Sequence, residues 1–235
     1  MNKGSLYLIP SVLGATPPEL TLPAGTLSVI GKLHHFIAEE ASTARRFLRK
    51  AGYTEAFETT ELMVFNEHTD VSDLLPYLQP ALDGEDIGLL SEAGVPCVAD
   101  PGALIVEEAH CLGIKVIPLT GPSSIILALM GSGFNGQQFA FHGYLPIEKN
   151  ARFRKIKELE RVAKETGQTQ IFIETPYRNR QMLEALSEAC SKQTRICIAV
   201  DLTLDSEWIA VKTAGEWRNK HPDIHKRPAV FLMSF

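Results

Sequence analysis

Short apolar runs alternate along the chain with stretches in which apolar residues return every third or fourth position, the pattern of strands interleaved with helices. In the first half SLYLIP, FIAEE, DIGLLS and IKVIPL read as strands. ASTARRFLRKAG, closed by Gly52, VSDLLPYLQPAL and ALIVEEAHCL, stopped by Gly113, read as helices, although Pro76 and Pro80 oppose the second of these. In the second half TGPSSIILALM opens a helix with Ser123 as its N-cap. Strand-like QFAFHGYL, TQIFIE, RICIAVDL, EWIAV and AVFLMSF follow, with helical KNARFRKIKELERVAK and RNRQMLEALSEAC between them. Crossover helices thin out toward the end. The pattern predicts two α/β domains: residues 1–118 with a mostly parallel sheet and residues 119–235 with a mixed one.

The clearest unit is strand DIGLLS, the long loop EAGVPCVADPG, helix ALIVEEAHCL and strand IKVIPL, a βαβ unit. Its Gly/Pro-rich loop leaves the carboxyl end of a strand, where open α/β sheets bind ligands. Glycines there admit close backbone approach, and Glu92 and Asp100 offer acceptors for hydroxyls or an amine. Gly131, Gly133 and Gly136 form a literal G-x-G-x-x-G, but they follow a helix and precede a strand, so a dinucleotide site is disfavoured and a helix stop expected.

Composition narrows the classes further. The 235 residues are 45% hydrophobic, enough for an unstapled core, and the net charge of −5 argues against a surface that coats nucleic acid indiscriminately. A local basic patch remains in KNARFRKIKELERVAK, against the plainer reading of a solvated helix face. Four cysteines, Cys97, Cys111, Cys190 and Cys197, match neither zinc-ligand nor disulfide-framework spacing and read as buried thiols in a reducing compartment. The chain shows neither a signal-peptide h-region nor an apolar stretch approaching the ~20 residues that span a bilayer, so a cytoplasmic protein is expected.

Within sixty residues come, in order, GLLSEAGVPCVADPG, VIPLTGPSSIILALMGSG and FAFHGYLP-x₂-K-x₂-R. This ordered set resembles the tetrapyrrole (corrin/porphyrin) methylase superfamily, and within it the ribosomal RNA small subunit methyltransferase I branch, whose counterparts read approximately SDAGTP-x₃-DPG, PGPSA-x₃-AL-x₂-SG and F-x-F-x-GFLP. The similarity continues through Ala38-Glu39-Glu40 with Arg45 and Arg46, Asn66-Glu67-His68, Glu174-Thr175-Pro176-Tyr177-Arg178 and Asp201-Leu202-Thr203. It covers essentially the whole chain.

The resemblance implies two α/β domains with an S-adenosylmethionine cleft between them, a homodimer and no metal. By motif position the cofactor contacts are Pro10, Leu90, Ser91, Glu92, Ala93, Gly94, Val95, Ser123, Ser124, Phe172 and Glu174. In this branch the acceptor is a ribose 2′-hydroxyl of small-subunit ribosomal RNA, so that RNA is an expected partner, with Lys149, Arg152 and Arg178 as candidate contacts. A hydroxyl acceptor benefits from a base, and Glu39, Glu40, Glu67, His68 and Glu174 are the candidates. Each has a plainer reading: Glu67 with His68 as a surface pair, and Glu174 as the partner of Arg178. Departures from the branch pattern stand at Ala15, Ser42, Val200 and Leu204, the last three where the branch carries cations. Two alternatives stay open, a tetrapyrrole or other small-molecule acceptor and a non-catalytic protein that binds the cofactor.

Overall fold

A computed structural model describes residues 2–220 and 222–235, which divide into two compact units, Met1–Ser123 and Ser124–Phe235. The first begins with β1 (Ser5–Ile9) and the short helices α1 (Pro18–Thr21) and α2 (Ala24–Ile30). β2 (His35–Ala38), α3 (Ala41–Lys50), β3 (Glu61–Val64), α4 (Leu75–Asp83), β4 (Ile87–Leu90), α5 (Ala103–Cys111) and β5 (Lys115–Pro118) follow. The strands form one sheet in the order β3-β2-β4-β1-β5, every pair parallel. Apolar clusters fill both sides of it: Ile9, Phe36, Phe47 and Leu48 on one, Leu6, Ile37, Leu78 and Ile105 on the other. That explains why β4 is uninterruptedly buried, as a strand covered on both faces must be.

The second unit comprises α6 (Ser124–Ser132), β6 (Phe139–Tyr144), α7 (Lys149–Thr166), β7 (Thr169–Ile173) and a 3₁₀ turn at Pro176–Arg178. It continues with α8 (Asn179–Ala189), β8 (Arg195–Val200), β9 (Trp208–Thr213), α9 (Ala214–Trp217) and β10 (Ala229–Ser234). Its sheet runs β6-β7-β10-β8-β9, with β6 and β7 parallel and the other pairs antiparallel. The closing strand β10 sits at the centre and is buried throughout, Phe231 stacking on Phe172 with centroids 6.0 Å apart.

Several expectations change in detail. The expected boundary after residue 118 coincides with the end of β5, whereas the contacts divide after Ser123, at the entry to α6. The edge strand β3 and helices α1 and α2 differ from the expected pattern; β3 is only partly buried, and its apolar run Leu62-Met63-Val64-Phe65 is the sequence signal that marks it. Pro76 sits in the first turn of α4, where no N–H is needed, while Pro80 is accommodated inside the helix. Gly133, with φ +66°, ends α6 in the left-handed region that a glycine adopts without strain, so the glycine-rich triplet is a helix stop. Cys190 and Cys197 are buried, but Cys97 is only partly so and Cys111 is exposed. No described helix is long and apolar enough to cross a membrane.

Candidate active site at the carboxyl ends of the strands

In a parallel sheet all strands end at one edge, and the loops leaving β1, β4 and β5 meet there. Ser11, just past β1, exchanges backbone hydrogen bonds with Gly94 of the loop after β4, at 2.8 and 3.2 Å. Gly94 has φ +75°, and a Cβ there would stand 3.1 Å from Leu13 and 3.4 Å from the Pro122 carbonyl. Gly121 lies tighter still, because its Cβ would fall 2.2 Å from Cγ of Pro10. We therefore expect Gly121→Ala to push the β5 loop away from the rigid Pro10 ring, at a cost of about 1–3 kcal/mol. A fall in midpoint on urea unfolding checks this.

The loop 91–102 is held by its own polar groups. Asp100 Oδ1 accepts the N–H groups of Cys97 and Gly102, each at 2.9 Å, while Asp100 Oδ2 is buried without a hydrogen-bond partner. Cys97 and Ala99 both take positive φ, a conformation that costs a non-glycine residue about 1–2 kcal/mol. Burial, with Asp100 adding to it, pushes the Cys97 thiol up to about 11.

Glu39, just past β2, shares a narrow crevice with Phe65, Leu90, Asp100 and Gly102. A second crevice, sharing Ala38 and Leu90 with the first, is lined by Ser11, Ser91 and Glu92. Burial raises the Glu39 carboxyl above its ordinary range, and the charges of Asp100, Glu92 and Glu67 raise it further. Glu92 is raised as well, by burial and by Glu40. Asn66 ties the end of β3 to β2 by donating to the Glu39 carbonyl at 3.3 Å.

The remaining candidate bases take other roles. Glu40 is the N-cap of α3, accepting from Ser42 and Thr43 backbone N–H groups at 2.9 and 2.6 Å and from both hydroxyls. Those bonds hold its carboxyl at about 2, far too acidic for a base, and they give Ser42 a structural use. A depressed carboxyl stabilises the fold above its unfolded value and loses that contribution as pH falls toward 2. Glu40→Gln is accordingly expected to melt below the parent at neutral pH and to converge with it near pH 2, which thermal scans across pH would show. Glu67 and His68 are both 84% exposed with 3.6 Å between them, a surface pair. Glu174, by contrast, has a side chain only 1% exposed and is locked by Arg178 at 2.6 and 2.9 Å and by the Thr175 N–H, so it is a buried ion-pair partner.

Among the expected cofactor contacts, Pro10, Leu90, Ser91, Glu92, Ala93, Gly94 and Val95 gather at this edge of the first sheet, where Leu90 is buried and lines both crevices. Ser123 ends the first unit and Ser124 opens α6. Phe172 is wholly buried under Phe231, which removes its side chain as a ligand contact. Of the expected RNA contacts, Lys149 is exposed at the start of α7. Arg152 is buried instead, donating to the Ile147 carbonyl at 3.0 Å, and Arg178 is committed to Glu174. Three cations of α7 are paired within the helix, Lys155 with Glu158, Lys157 with Glu160 and Arg161 with Glu165, and Lys164 lies over the Phe235 ring. Arg180 likewise pairs with Glu184.

At the carboxyl end of β8 the motif Asp201-Leu202-Thr203 forms a tight knot. Asp201 and Thr203 have φ +50° and +71°, and Asp201 accepts from Ser206 and from Arg227, each at 2.8 Å. Arg227 also donates to the Asp223 and Ser206 carbonyls. It therefore puts a cation beside the motif in which Val200 and Leu204 replace the branch's charged residues. Sequence reading missed Arg227 because it lies in no motif and reaches Asp201 only through the pairing of β8 with β10. Among the described residues no three His, Cys, Asp or Glu side chains are arranged to hold a metal.

The family described as Tetrapyrrole (Corrin/Porphyrin) Methylases matches residues 17–217. Ribosomal RNA small subunit methyltransferase I of Bacillus subtilis is 32% identical over 222 residues, covering 93% of this chain and 72% of the relative. Its namesake from Vibrio cholerae is 28% identical over 204 residues, covering 87% and 67%. The solved structure of the methyltransferase CobJ shares the fold, with a TM-score of 0.66 at 16% identity over 98% of this chain and 94% of that one. That of cobalt precorrin-4 methyltransferase CbiF does so with a TM-score of 0.61 at 13% identity and the same coverage. With its parallel sheet, its glycine-closed strand-end loops and a match along most of its length, the chain belongs to the tetrapyrrole methylase family of methyltransferases.

Proposed function

We propose that the chain transfers a methyl group from S-adenosylmethionine to a ribose 2′-hydroxyl of small-subunit ribosomal RNA, acting in the cytoplasm as a homodimer. The observation that carries the reading is the similarity along 222 residues to a methyltransferase named for small-subunit ribosomal RNA. The acidic groups at the strand-end crevices match the charge of the donor, a net cation with a sulfonium and an amine. Glu39 and Glu92 are carboxyls raised by burial and by neighbouring acids, and Asp100 Oδ2 is a buried acceptor with no protein partner. A cation relieves their mutual repulsion and supplies the missing donor.

When bound, S-adenosylmethionine supplies a methyl group activated on sulfur. The chain's own groups do the rest. Gly94 and Gly121 let the strand-end loops pack closely on one another and so fix the site, Asp100 and Glu92 hold positive charge, and Ser11 and Ser91 offer polar contacts beside them. Glu39 accepts the proton of the acceptor hydroxyl, a role that suits a carboxylate more basic than usual. Holding donor and acceptor in line is the larger part of the catalysis.

The test is incubation of the protein with labelled cofactor and unmethylated small ribosomal subunits, followed by mapping of ribose methylation. Label in a ribose 2′-O-methyl group is the expected result. Transfer to a porphyrinoid instead, or cofactor binding in calorimetry without transfer to any acceptor, would overturn the assignment. Light scattering of the purified protein checks the dimer.

A further inference from the structure

A second feature lies at the carboxyl ends of the adjacent parallel strands β6 and β7. Tyr177, in the 3₁₀ turn that follows β7, is 70% exposed, and Tyr144, the last residue of β6, is 56% exposed. Neither phenol is used in the core or in the proposed chemistry. Tyr177 is nevertheless held in place. Lys226 donates its backbone N–H to the Pro176 carbonyl at 3.0 Å, and its Nζ lies 5.7 Å from the centroid of the Tyr177 ring. The His225 ring stands edge-on to it at 6.4 Å and 79°.

Lys226 takes φ +60°, which a side chain other than glycine adopts only when its surroundings enforce it. Here the enforcement is visible in the next residue, since Arg227 is pinned by Asp201, Asp223 and Ser206. The strained backbone thus presents a cation to an aromatic ring whose remaining surface faces water.

Exposed aromatics interleaved with cations are the features that bind unpaired bases: every base has a face to stack, and the phosphate beside it meets positive charge. Resting on the ribosomal RNA reading above, we infer that Tyr177 and Lys226 form a stacking platform for an unpaired nucleobase of the substrate RNA. The base lies on the open surface of the Tyr177 ring, Lys226 meets the adjoining phosphate, and Tyr144 extends the platform along the same sheet edge. A second copy of this chain is the rival occupant. The Lys226 ammonium beside the ring favours the polyanion, because charge is depleted from the centre of protein interfaces.

The experiment is fluorescence anisotropy with a labelled single-stranded oligoribonucleotide and with its duplex, run on the intact protein across a salt series. We expect the parent to prefer the single strand, and Tyr177→Ala to weaken that binding about 5- to 100-fold. Tyr177→Phe keeps the ring and retains the affinity to within about twofold. Lys226→Ala lowers the slope of log affinity against log salt by about 0.7, whereas Tyr177→Ala leaves the slope unchanged. Thermal melts confirm that the exposed substitutions leave the fold intact. The platform is overturned if Tyr177→Ala binds as the parent does, if the parent ignores the single strand, or if light scattering shows Tyr177→Ala splitting a dimer. Methylation of small subunits is read in parallel. Methylation by a parent that shows no Tyr177-dependent binding sinks the platform alone, and Tyr177-dependent binding without methylation sinks the functional reading alone.

Discussion

Glu39→Gln is expected to lower methyl transfer to small ribosomal subunits by about 100- to 10,000-fold, the span that loss of a general base commonly produces. Glutamine preserves the shape of the crevice and removes only the capacity to take a proton, so cofactor binding measured by calorimetry falls far less than the rate. The pH dependence carries its own sign. The parent needs Glu39 ionised, and burial together with Asp100, Glu92 and Glu67 raises its carboxyl. kcat/KM, which reports the free enzyme, therefore climbs with pH through an inflection above the ordinary glutamate value, and Glu39→Gln loses that inflection.

Stability moves the opposite way. With its folded value raised, Glu39 favours the fold most below its unfolded value, and that contribution is lost as pH rises through the folded one. At neutral pH an ionised Glu39 is a liability, and Glu39→Gln should melt slightly above the parent, the gap closing in acid. A variant less active but more stable is what a charge held for function produces. Equal rates for parent and variant would remove Glu39 from the mechanism.

Arg178→Ala is expected to cost about 3 kcal/mol of stability, because it leaves the Glu174 carboxylate buried with little but the Thr175 N–H to compensate it. For a chain of this size that lowers the melting temperature by about 6–12 °C. The pair lies at the end of β7, directly before the turn that carries Tyr177, so local disorder there should accompany the loss. Adding Glu174→Gln to Arg178→Ala removes the stranded charge and should recover part of the stability. Urea unfolding of the two single variants and the double variant closes the cycle. A loss under about 1 kcal/mol would mean that water reaches the carboxylate in the variant, and would release Arg178 for a role in binding.

The loop 91–102 shows how far local pattern carries. Its glycines, prolines and Asp100 announced a rigid ligand loop at a strand end, and the folded loop has the self-bonded geometry that those residues permit. Strand β3 was legible in its short apolar run Leu62-Met63-Val64-Phe65, but four residues do not by themselves separate a strand from a buried turn, and its edge position shows only in the sheet order. The site residues divide on the same principle. Glu39 and Glu40 are chain neighbours with the same side chain, yet one is raised and the other driven to about 2. The difference is that Glu40 meets the first turn of α3 while Glu39 meets the crevice.

Short-range chemistry encodes most of the strands and longer helices in their order, though not the short helices α1, α2 and α9 or the edge strand β3, together with the helix stop at Gly133, the strand-end loops and the family. Tertiary structure decided which charges are committed. It buried Arg152, paired Arg178 with Glu174, placed Phe172 beneath Phe231, and brought Arg227 from the far side of a strand pair to Asp201. A side chain's type fixes what it is able to do, but its pKa, its exposure and its partner depend on groups distant in sequence that meet only when the sheets assemble.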